Sequence, residues 1–419
     1  MNPSSPAKTI CFINPTGNVT GAGVSLFNLL CLLRRISSYR IEVILPVQGP
    51  LAEKFIEAHF PVHVVKMPMV WEIPNYDYTA LGSLYYLATI KLRNWFGFRF
   101  SRETARALAS IKPDLVHVND LPLQSAAITA HRLGIPVVWH VRHTLHKPWS
   151  RVQAKMIKNV KKIAKVVIGI SDDEIVHFDR SKMDVRVICN PAFEEGRRMP
   201  EAEDVLRIRR GFQVQESDVL AYAPIHATRS KGIGVLLQAF KKLKDGGHSN
   251  IKLLVTGAVQ PPKSRLKRVG KEFLMRDTPK KIGRFITKNQ LENVVFMEPF
   301  VKDVVPYMAA CDVLIFPTMF RAIGRPVIEA GFMEKPAIVT LDAQRDGLVL
   351  HQRTGLIVKD NEPGALALAI LDLANSREKR IEMGRNAKRH LEQLCSAPVV
   401  LRQIKEVYDS ILNKGIEAG

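Results

Sequence analysis

The chain is poor in cysteine: its 419 residues include five, Cys11, Cys31, Cys189, Cys311 and Cys395, odd in number and far apart. No CxxC pair and no cysteine–histidine spacing suited to a metal occurs, which excludes a disulfide scaffold and a zinc module. Most of these cysteines lie inside apolar stretches such as TICFIN (9–14) and AACDVLIF (309–316). Reduced, buried thiols in a cytosolic compartment are therefore expected. Long apolar runs are missing too, since none approaches the roughly 18–20 residues that cross a bilayer. The N-terminal MNPSSPAKTICFINPTG is too short in its apolar part for a signal segment and reads as a leader and a first strand. The protein is accordingly expected in the cytoplasm. Neither a repeat of about 20–50 residues nor a low-complexity tract is present, which excludes solenoids and fibrous chains.

Acidic side chains are also in short supply, 40 against 61 basic, for a net charge of +21. Residues 1–195 hold 24 basic and 15 acidic groups (+9), and residues 196–419 hold 37 and 25 (+12). Both halves are thus basic, which points to an extended anionic partner: a membrane surface, a nucleic acid or phosphorylated substrates. Apart from that, 46% hydrophobic and 24% charged residues is an ordinary globular balance.

Short β-branched runs alternate with amphipathic stretches. The first half offers TICFIN, RIEVILP (40–46), VHVVKM (62–67), DLVHVN (114–119), IPVVWHV (135–141), KVVIGI (165–170) and VRVICN (185–190). The second offers VLAYAP (219–224), IKLLVTG (251–257), VVFMEP (294–299), DVLIFP (312–317), PAIVTL (336–341) and TGLIVK (354–359). Continuous apolar strands separated by helices predict parallel sheets covered on both faces, and two such runs predict two doubly wound α/β domains. The polar, turn-rich NPAFEEGRRMPEAED places their join near residues 190–205, and a last helix is expected over about 398–414, after the Pro398 break.

Ligands of open α/β sheets bind beyond the carboxyl ends of the strands, at glycine loops and helix N-termini. Four such places stand out. The loop PTGNVTGAGVS (15–25) follows the first strand, and Gly17, Gly21 and Gly23 would let the backbone approach an anion. Its spacing is not GxGxxG and no acidic residue ends the second strand, which argues against NAD. A tight turn explains this loop equally well. The exit of IPVVWHVRHT gathers His140, Arg142 and His143 within four residues, suited to an anion or a sugar. In HATRSKGIGVLLQAF (226–240), Lys231 stands before Gly232 and a helix, as a diphosphate site needs, although a solvated lysine at a helix start looks the same. In DVLIFPTMFRAIGRPVIEAGFMEKPAIVT (312–340), Gly324 and Pro326 open a helix whose first turn carries Glu329, placed to accept from two vicinal hydroxyls. Helix-dipole compensation is the plain alternative for that glutamate.

The segment GRPVIEAGFMEKPAIV (324–339) resembles the signature helix of retaining GT-B glycosyltransferases of the family 4 type. GNVTGAG, WHVR, IGIS, Asn190-Pro191, Lys231-Gly232, TG at 256–257 and TGLIV follow the family's order over nearly the whole chain. The resemblance implies two Rossmann-like domains facing a cleft: 1–192 for the acceptor, 193–397 for the nucleotide sugar, and 398–419 as a helix crossing back to the first. It implies transfer of a sugar with retained configuration, from a nucleotide-diphosphate donor to a glycan or lipid-linked saccharide, in cell-surface polysaccharide synthesis. No metal and no cofactor is implied. Glu329 matches the acid on the ribose hydroxyls, Lys231 the lysine on the diphosphate, and Gly21 and Gly23 the loop near the donor. At the active-site histidine of the strand-five exit the register brings Arg142, with His140 two residues earlier, and the sequence leaves open which of them fills it. With Lys231 they form the candidate catalytic set. Gly324, His226 and Arg321 complete the donor site. The last two are departures: Arg321 stands where the family has an acid eight residues before Glu329, and His226 where it has an arginine five before Lys231. Arg321 is expected to neutralise the diphosphate or to read an acidic or unusually substituted sugar.

Residues 147–165, KPWSRVQAKMIKNVKKIAK, carry seven basic and no acidic side chains, with Trp149, Met156, Ile157 and Ile163 among them. Residues 89–108 set Trp95, Phe96, Phe98 and Phe100 among Lys91, Arg93, Arg99 and Arg102. Basic amphipathic helices with aromatic residues suit an anionic headgroup layer, so Trp95, Trp149, Lys158 and Lys162, with Asn18 and His143, are expected to meet the acceptor or the inner membrane surface. Two other classes compete with the enzyme. A nucleic-acid-binding protein would explain the charge but leaves the glycine loops unexplained and lacks a recognised module, so no nucleic-acid partner is expected. A catalytically silent sugar-nucleotide binder would explain the two departures.

Overall fold

The computed structural model describes residues 7–70, 77–143, 145, 150–193, 197–258, 270, 272–276, 278–319, 324–340, 347–359 and 362–413. The chain divides into two units, one of residues 1–73, 87–195 and 395–419, the other of residues 74–86 and 196–394. Two crossings depart from a split into halves: a short piece of the first half belongs with the second unit, and the C-terminal segment with the first.

The first unit is built on seven parallel strands: β1 (Thr9–Ile13), β2 (Arg40–Leu45), β3 (Val62–Val64), β4 (Leu115–Asn119), β5 (Val137–Val141), β6 (Ala164–Gly169) and β7 (Asp184–Val187), in the order β3-β2-β1-β4-β5-β6-β7. The second has six: β8 (Val219–Ala223), β9 (Ile251–Ala258), β10 (Val295–Pro299), β11 (Val313–Phe316), β12 (Ala337–Thr340) and β13 (Gly355–Val358), in the order β10-β9-β8-β11-β12-β13. Every residue of β1, β4, β5 and β8 is buried, as strands covered on both faces must be. The winding reverses between β1 and β4 in the first sheet and between β8 and β11 in the second, and at such reversals the connecting loops diverge and leave room for a ligand.

The last helix, Ala397–Leu412, buries Val400, Leu401, Ile404, Val407, Tyr408 and Leu412 at helical spacing, in one core with Leu26, Leu29 and Leu33 of the helix Gly21–Ile36 and with Ile10 and Phe12 of β1. Its start is fastened covalently, because Cys395 is bonded to Cys189, with the two Cα atoms 5.2 Å apart. The expectation of reduced thiols fails for this pair. Its members are 206 residues apart in sequence, so no spacing announces them. Cys11, Cys31 and Cys311 are not in a disulfide.

Non-reducing peptide mapping should return a Cys189–Cys395 linked peptide. Cys11 and Cys311, fully buried, should escape alkylation until the protein is unfolded. Labelling of all five thiols in the folded protein purified without reductant would contradict the pairing.

Candidate active site

Strand periodicity assembles the first unit's site. Side chains two apart share a sheet face, and the register sets Asn119 of β4 beside His140 of β5. His117 and Asn119 therefore line one face with His140 and, one step past the strand end, Arg142. All four are buried. Asn119 Nδ2 donates to Asn14 Oδ1 at 2.7 Å, joining the ends of β4 and β1.

Arg142 is the centre of this group. Its Nε donates to Asn119 Oδ1 at 2.5 Å, its Nη1 to Asn190 Oδ1, and its Nη2 lies 3.3 Å from His140 Nδ1. The three side chains bonded to the guanidinium are neutral, and the carboxylates that act on its charge, Asp120 and Glu174, do so without a hydrogen bond to it among the described residues. Burial lowers the Arg142 pKa to about 10, with Asp120 opposing the shift. Burial, followed by the Arg142 charge, lowers His117 to about 3 and carries His140 well below its usual value. Both imidazoles are thus neutral around neutrality. His143 is more exposed, and its Nδ1 faces Oδ2 of the buried Asp120, whose Oδ1 accepts from the Arg142 backbone amide at 3.2 Å.

The glycine loop resolves into different roles. A Cβ on Gly17 would come within 2.1 Å of the Val47 carbonyl oxygen, and one on Gly23 within 2.6 Å of Leu51 Cδ2. Those two glycines are required by packing. Only Gly21 of the three faces open space, at the first position of a helix capped by the Thr20 hydroxyl, which accepts from Gly23 N at 3.1 Å. Asn18 is exposed in the same loop.

In the second unit, the turn after β8 carries His226 and Lys231. Gly232 has φ +78°, and a Cβ there would lie 1.6 Å from the Pro317 carbonyl oxygen, so only glycine lets this turn cross the end of β11. Met319 N donates to Ser230 O at 3.0 Å, tying the two loops. Burial lowers the Lys231 pKa, opposed by Asp77, and burial followed by Lys231 lowers that of His226. Asp77 comes from the short crossing piece, and its two carboxylate oxygens accept from Ser230 N and Ser230 Oγ, each at 2.7 Å. An antiparallel bridge, Tyr78 to Met275, and the bond from Arg276 N to Asp77 O at 2.9 Å hold that piece in place.

Glu329 is 1% exposed in the helix Arg325–Phe332, whose N-cap, Gly324, sits against the Phe316 ring. Its Oε1 is 2.6 Å from Arg325 Nη2. Burial raises the Glu329 pKa, and Arg325 and then Arg197 pull it back. Arg197 itself is ion-paired with Asp303.

Arg321 and Trp149 lie outside the described residues. Trp95 is 60% exposed, with the Arg99 guanidinium 4.6 Å above its ring, and Phe96 is 48% exposed beside it. Lys158 and Lys162 are exposed on the helix Arg151–Ile163. That helix corrects an expectation: Met156, Ile157, Val160 and Ile163 all face the core, so only its cationic side is left at the surface. Among the described residues, no helix is long and apolar enough to cross a membrane. Sequence reasoning missed His117, Asp77, Arg325 and Tyr408. The alternation in DLVHVN put His117 on the face of Asn119 and was the one usable signal.

Two histidines buried neutral have a thermodynamic consequence. Their folded pKa values lie below the unfolded 6.5, so the unfolded chain binds more protons once pH drops under that value. Stability is complete above about pH 6.5 and falls below it, by about 1.4 kcal/mol per pH unit for each histidine. Urea midpoints from pH 7 to pH 4.5 should show this slope, and His117→Phe should flatten it; equal slopes in the two proteins would contradict neutral burial.

Comparison with known proteins fits this geometry. The family described as Glycosyltransferase Family 4 matches residues 19–192, and Glycosyl transferases group 1 matches residues 207–390. The Staphylococcus aureus capsular polysaccharide biosynthesis glycosyltransferase CapM is 28% identical over 186 residues, 44% of each chain. A D-inositol 3-phosphate glycosyltransferase of Streptomyces avermitilis is 26% identical over 322 residues, 70% of this chain and 65% of that one. The matches thus span under two thirds of these relatives. Among solved structures, Anabaena Alr3699/HepE in complex with UDP and glucose superposes with a TM-score of 0.75 at 21% identity, over 96% of this chain and 100% of that one. WaaG, a glycosyltransferase involved in lipopolysaccharide biosynthesis, gives 0.63 at 14% identity, over 96% and 99%. The fold is GT-B, and the chain belongs to the group 1 glycosyltransferases of the family 4 type.

Proposed function

We propose that the protein transfers a glycosyl group from a nucleotide-diphosphate sugar to a glycan or lipid-linked saccharide of the cell surface, with retention and without a metal. The observation that carries this reading is the pairing, in one unit, of a half-buried lysine on the β8 turn with a buried glutamate in the second turn of the helix after β11. Glu329 would accept from the ribose hydroxyls and Lys231 would meet the diphosphate. His226, kept neutral, would donate a hydrogen bond to it. The bond from C1 to the phosphate oxygen breaks as the acceptor oxygen approaches on the same face, and the acceptor proton passes to the leaving phosphate. Fixed cations stabilise the charge that develops there and need no reorganisation. Arg142 and the Gly21 amide would also serve the transfer. Lys231→Ala should lower kcat/KM about 10²–10³-fold, the scale of removing one preorganised donor, and Glu329→Ala should weaken nucleotide binding. Melting-temperature shifts with UDP-, GDP-, ADP- and CMP-sugars identify the donor. Full activity in both variants would refute the assignment. UDP-glucose comes first, because a solved Alr3699/HepE complex contains it.

Acceptor supply would come from an anionic membrane surface. Trp95 and Phe96 are exposed beside Arg99, and Lys155, Lys158, Lys161 and Lys162 stand out from the neighbouring helix, with Lys155 Nζ 4.3 Å above the Phe98 ring. Each such cation near anionic lipid adds about 1 kcal/mol. The protein should float with vesicles containing phosphatidylserine and not with phosphatidylcholine alone, and Trp95→Ala with Phe96→Ala should reduce the bound fraction. Equal recovery with both vesicles would remove the membrane from this reading.

A further inference from the structure

The last helix gives the first unit more than apolar cover. Its Tyr408 is fully buried, edge-on to Phe12, Tyr39 and His117, with its hydroxyl 2.8 Å from His117 Nδ1. His117 Nε2 lies 3.3 Å from His140 Nδ1, and Arg142 Nη2 is 3.3 Å from that same nitrogen. Donor and acceptor chemistry fixes every proton in this row. A guanidinium only donates, so His140 Nδ1 must offer a lone pair, and a neutral ring then carries its proton on Nε2, which is buried and meets no acceptor among the described residues. His117 Nε2 faces the same lone pair and must be N–H, which leaves His117 Nδ1 bare. The Tyr408 hydroxyl is therefore the donor. Burial agrees with this assignment, since it holds both imidazoles neutral and the phenol protonated.

We infer that Tyr408 is a positioning residue for glycosyl transfer: by donating to His117 Nδ1 it locks both imidazoles in the Nε2–H tautomer, and so fixes the guanidinium of Arg142. This rests on the reading of Arg142 as part of the transfer site. Without the hydroxyl, neither tautomer of His117 is satisfied. The Nε2–H form leaves a buried acceptor with no donor, and the Nδ1–H form sets two lone pairs against each other at His140. The helix is fastened beside Arg142 at its other end as well, because Cys189, bonded to Cys395, adjoins Asn190, which accepts from Arg142 Nη1. A neighbouring attachment serves as control: the Tyr39 hydroxyl donates to Asp409 Oδ1 at 2.6 Å, holding the same helix without touching the histidine row.

The test compares the full-length protein with Tyr408→Phe and Tyr39→Phe. Histidine 15N spectra at neutral pH read the tautomers, and nucleotide release from UDP-, GDP- and ADP-glucose reads turnover. The native protein should show Nε2–H on both His117 and His140. Tyr408→Phe should mix the tautomers of His117 and lower kcat about tenfold with donor KM within about twofold, as expected of a misplaced group rather than a lost binding contact. Tyr39→Phe should change neither. An Nδ1 proton on either ring of the native protein overturns the inference, as does unchanged kcat in Tyr408→Phe or an equal loss in Tyr39→Phe. A native protein inert with every donor overturns the transfer reading and this inference with it, whereas an active native protein with an equally active Tyr408→Phe sinks Tyr408 alone.

Discussion

A guanidinium that is buried but not neutralised is the constraint that orders the first unit. Removing such a charge from water is costly unless its donors are met. A carboxylate partner would meet them and remove the attraction for a phosphate or a sugar oxyanion. Two asparagine oxygens and an imidazole nitrogen meet them without doing so. The choice reaches outward, because an imidazole beside a guanidinium must stay neutral and point a lone pair at it. That demand sets the state of His117 next, and then the direction of the Tyr408 hydroxyl. Packing of the C-terminal helix and electrostatics at the strand ends are consequently one structural problem.

The second unit solves the converse problem. Lys231 is half-buried and Glu329 buried, and each has a counter-charge from its own chain: Asp77 near the lysine and Arg325 against the glutamate. Such partners oppose the neutral forms that desolvation favours. They also set the terms of binding. Asp77 already occupies the Ser230 amide and hydroxyl, so on the proposed reading a diphosphate would meet the Lys231 ammonium and not those donors. Arg325 faces Glu329 Oε1 at 2.6 Å, so on the same reading a diol would share the carboxylate with it. Specificity then depends on how each internal partner yields to substrate, and not only on which groups line the site.

The parts of this arrangement that follow chain order were legible in the sequence. Apolar runs located the sheets, and glycine or proline at strand exits located the Lys231 and Glu329 turns. The pair His140 and Arg142 pointed to a polar cluster at the exit of β5, although not that Arg142 would sit at its centre. What failed to show depends on residues far apart in sequence. Asp77 reaches Ser230 across 153 positions and Tyr408 reaches His117 across 291. The disulfide belongs to the same class. A second kind of miss came from amphipathicity, which reveals that a helix has an apolar side but not what covers it. Met156, Ile157 and Ile163 looked available to lipid and are part of the core. The glycine loop erred in the same way, since Gly17 and Gly23 are there for neighbouring atoms and Gly21 alone for open space.

That correction changes the physics of any membrane contact. A helix with its apolar face already buried cannot insert, so Arg151–Ile163 can contribute only long-range attraction, which fades within a Debye length of about 8–10 Å at physiological salt. Among the described residues of this unit, the exposed Trp95 and Phe96 would be left to insert, too little apolar surface to anchor the protein alone. On the proposed membrane reading, two weak terms of different origin would give reversible adsorption that depends jointly on lipid charge and ionic strength. An enzyme that must leave one acceptor to find the next is served by such a bond, because residence on the surface stays short while encounter remains frequent.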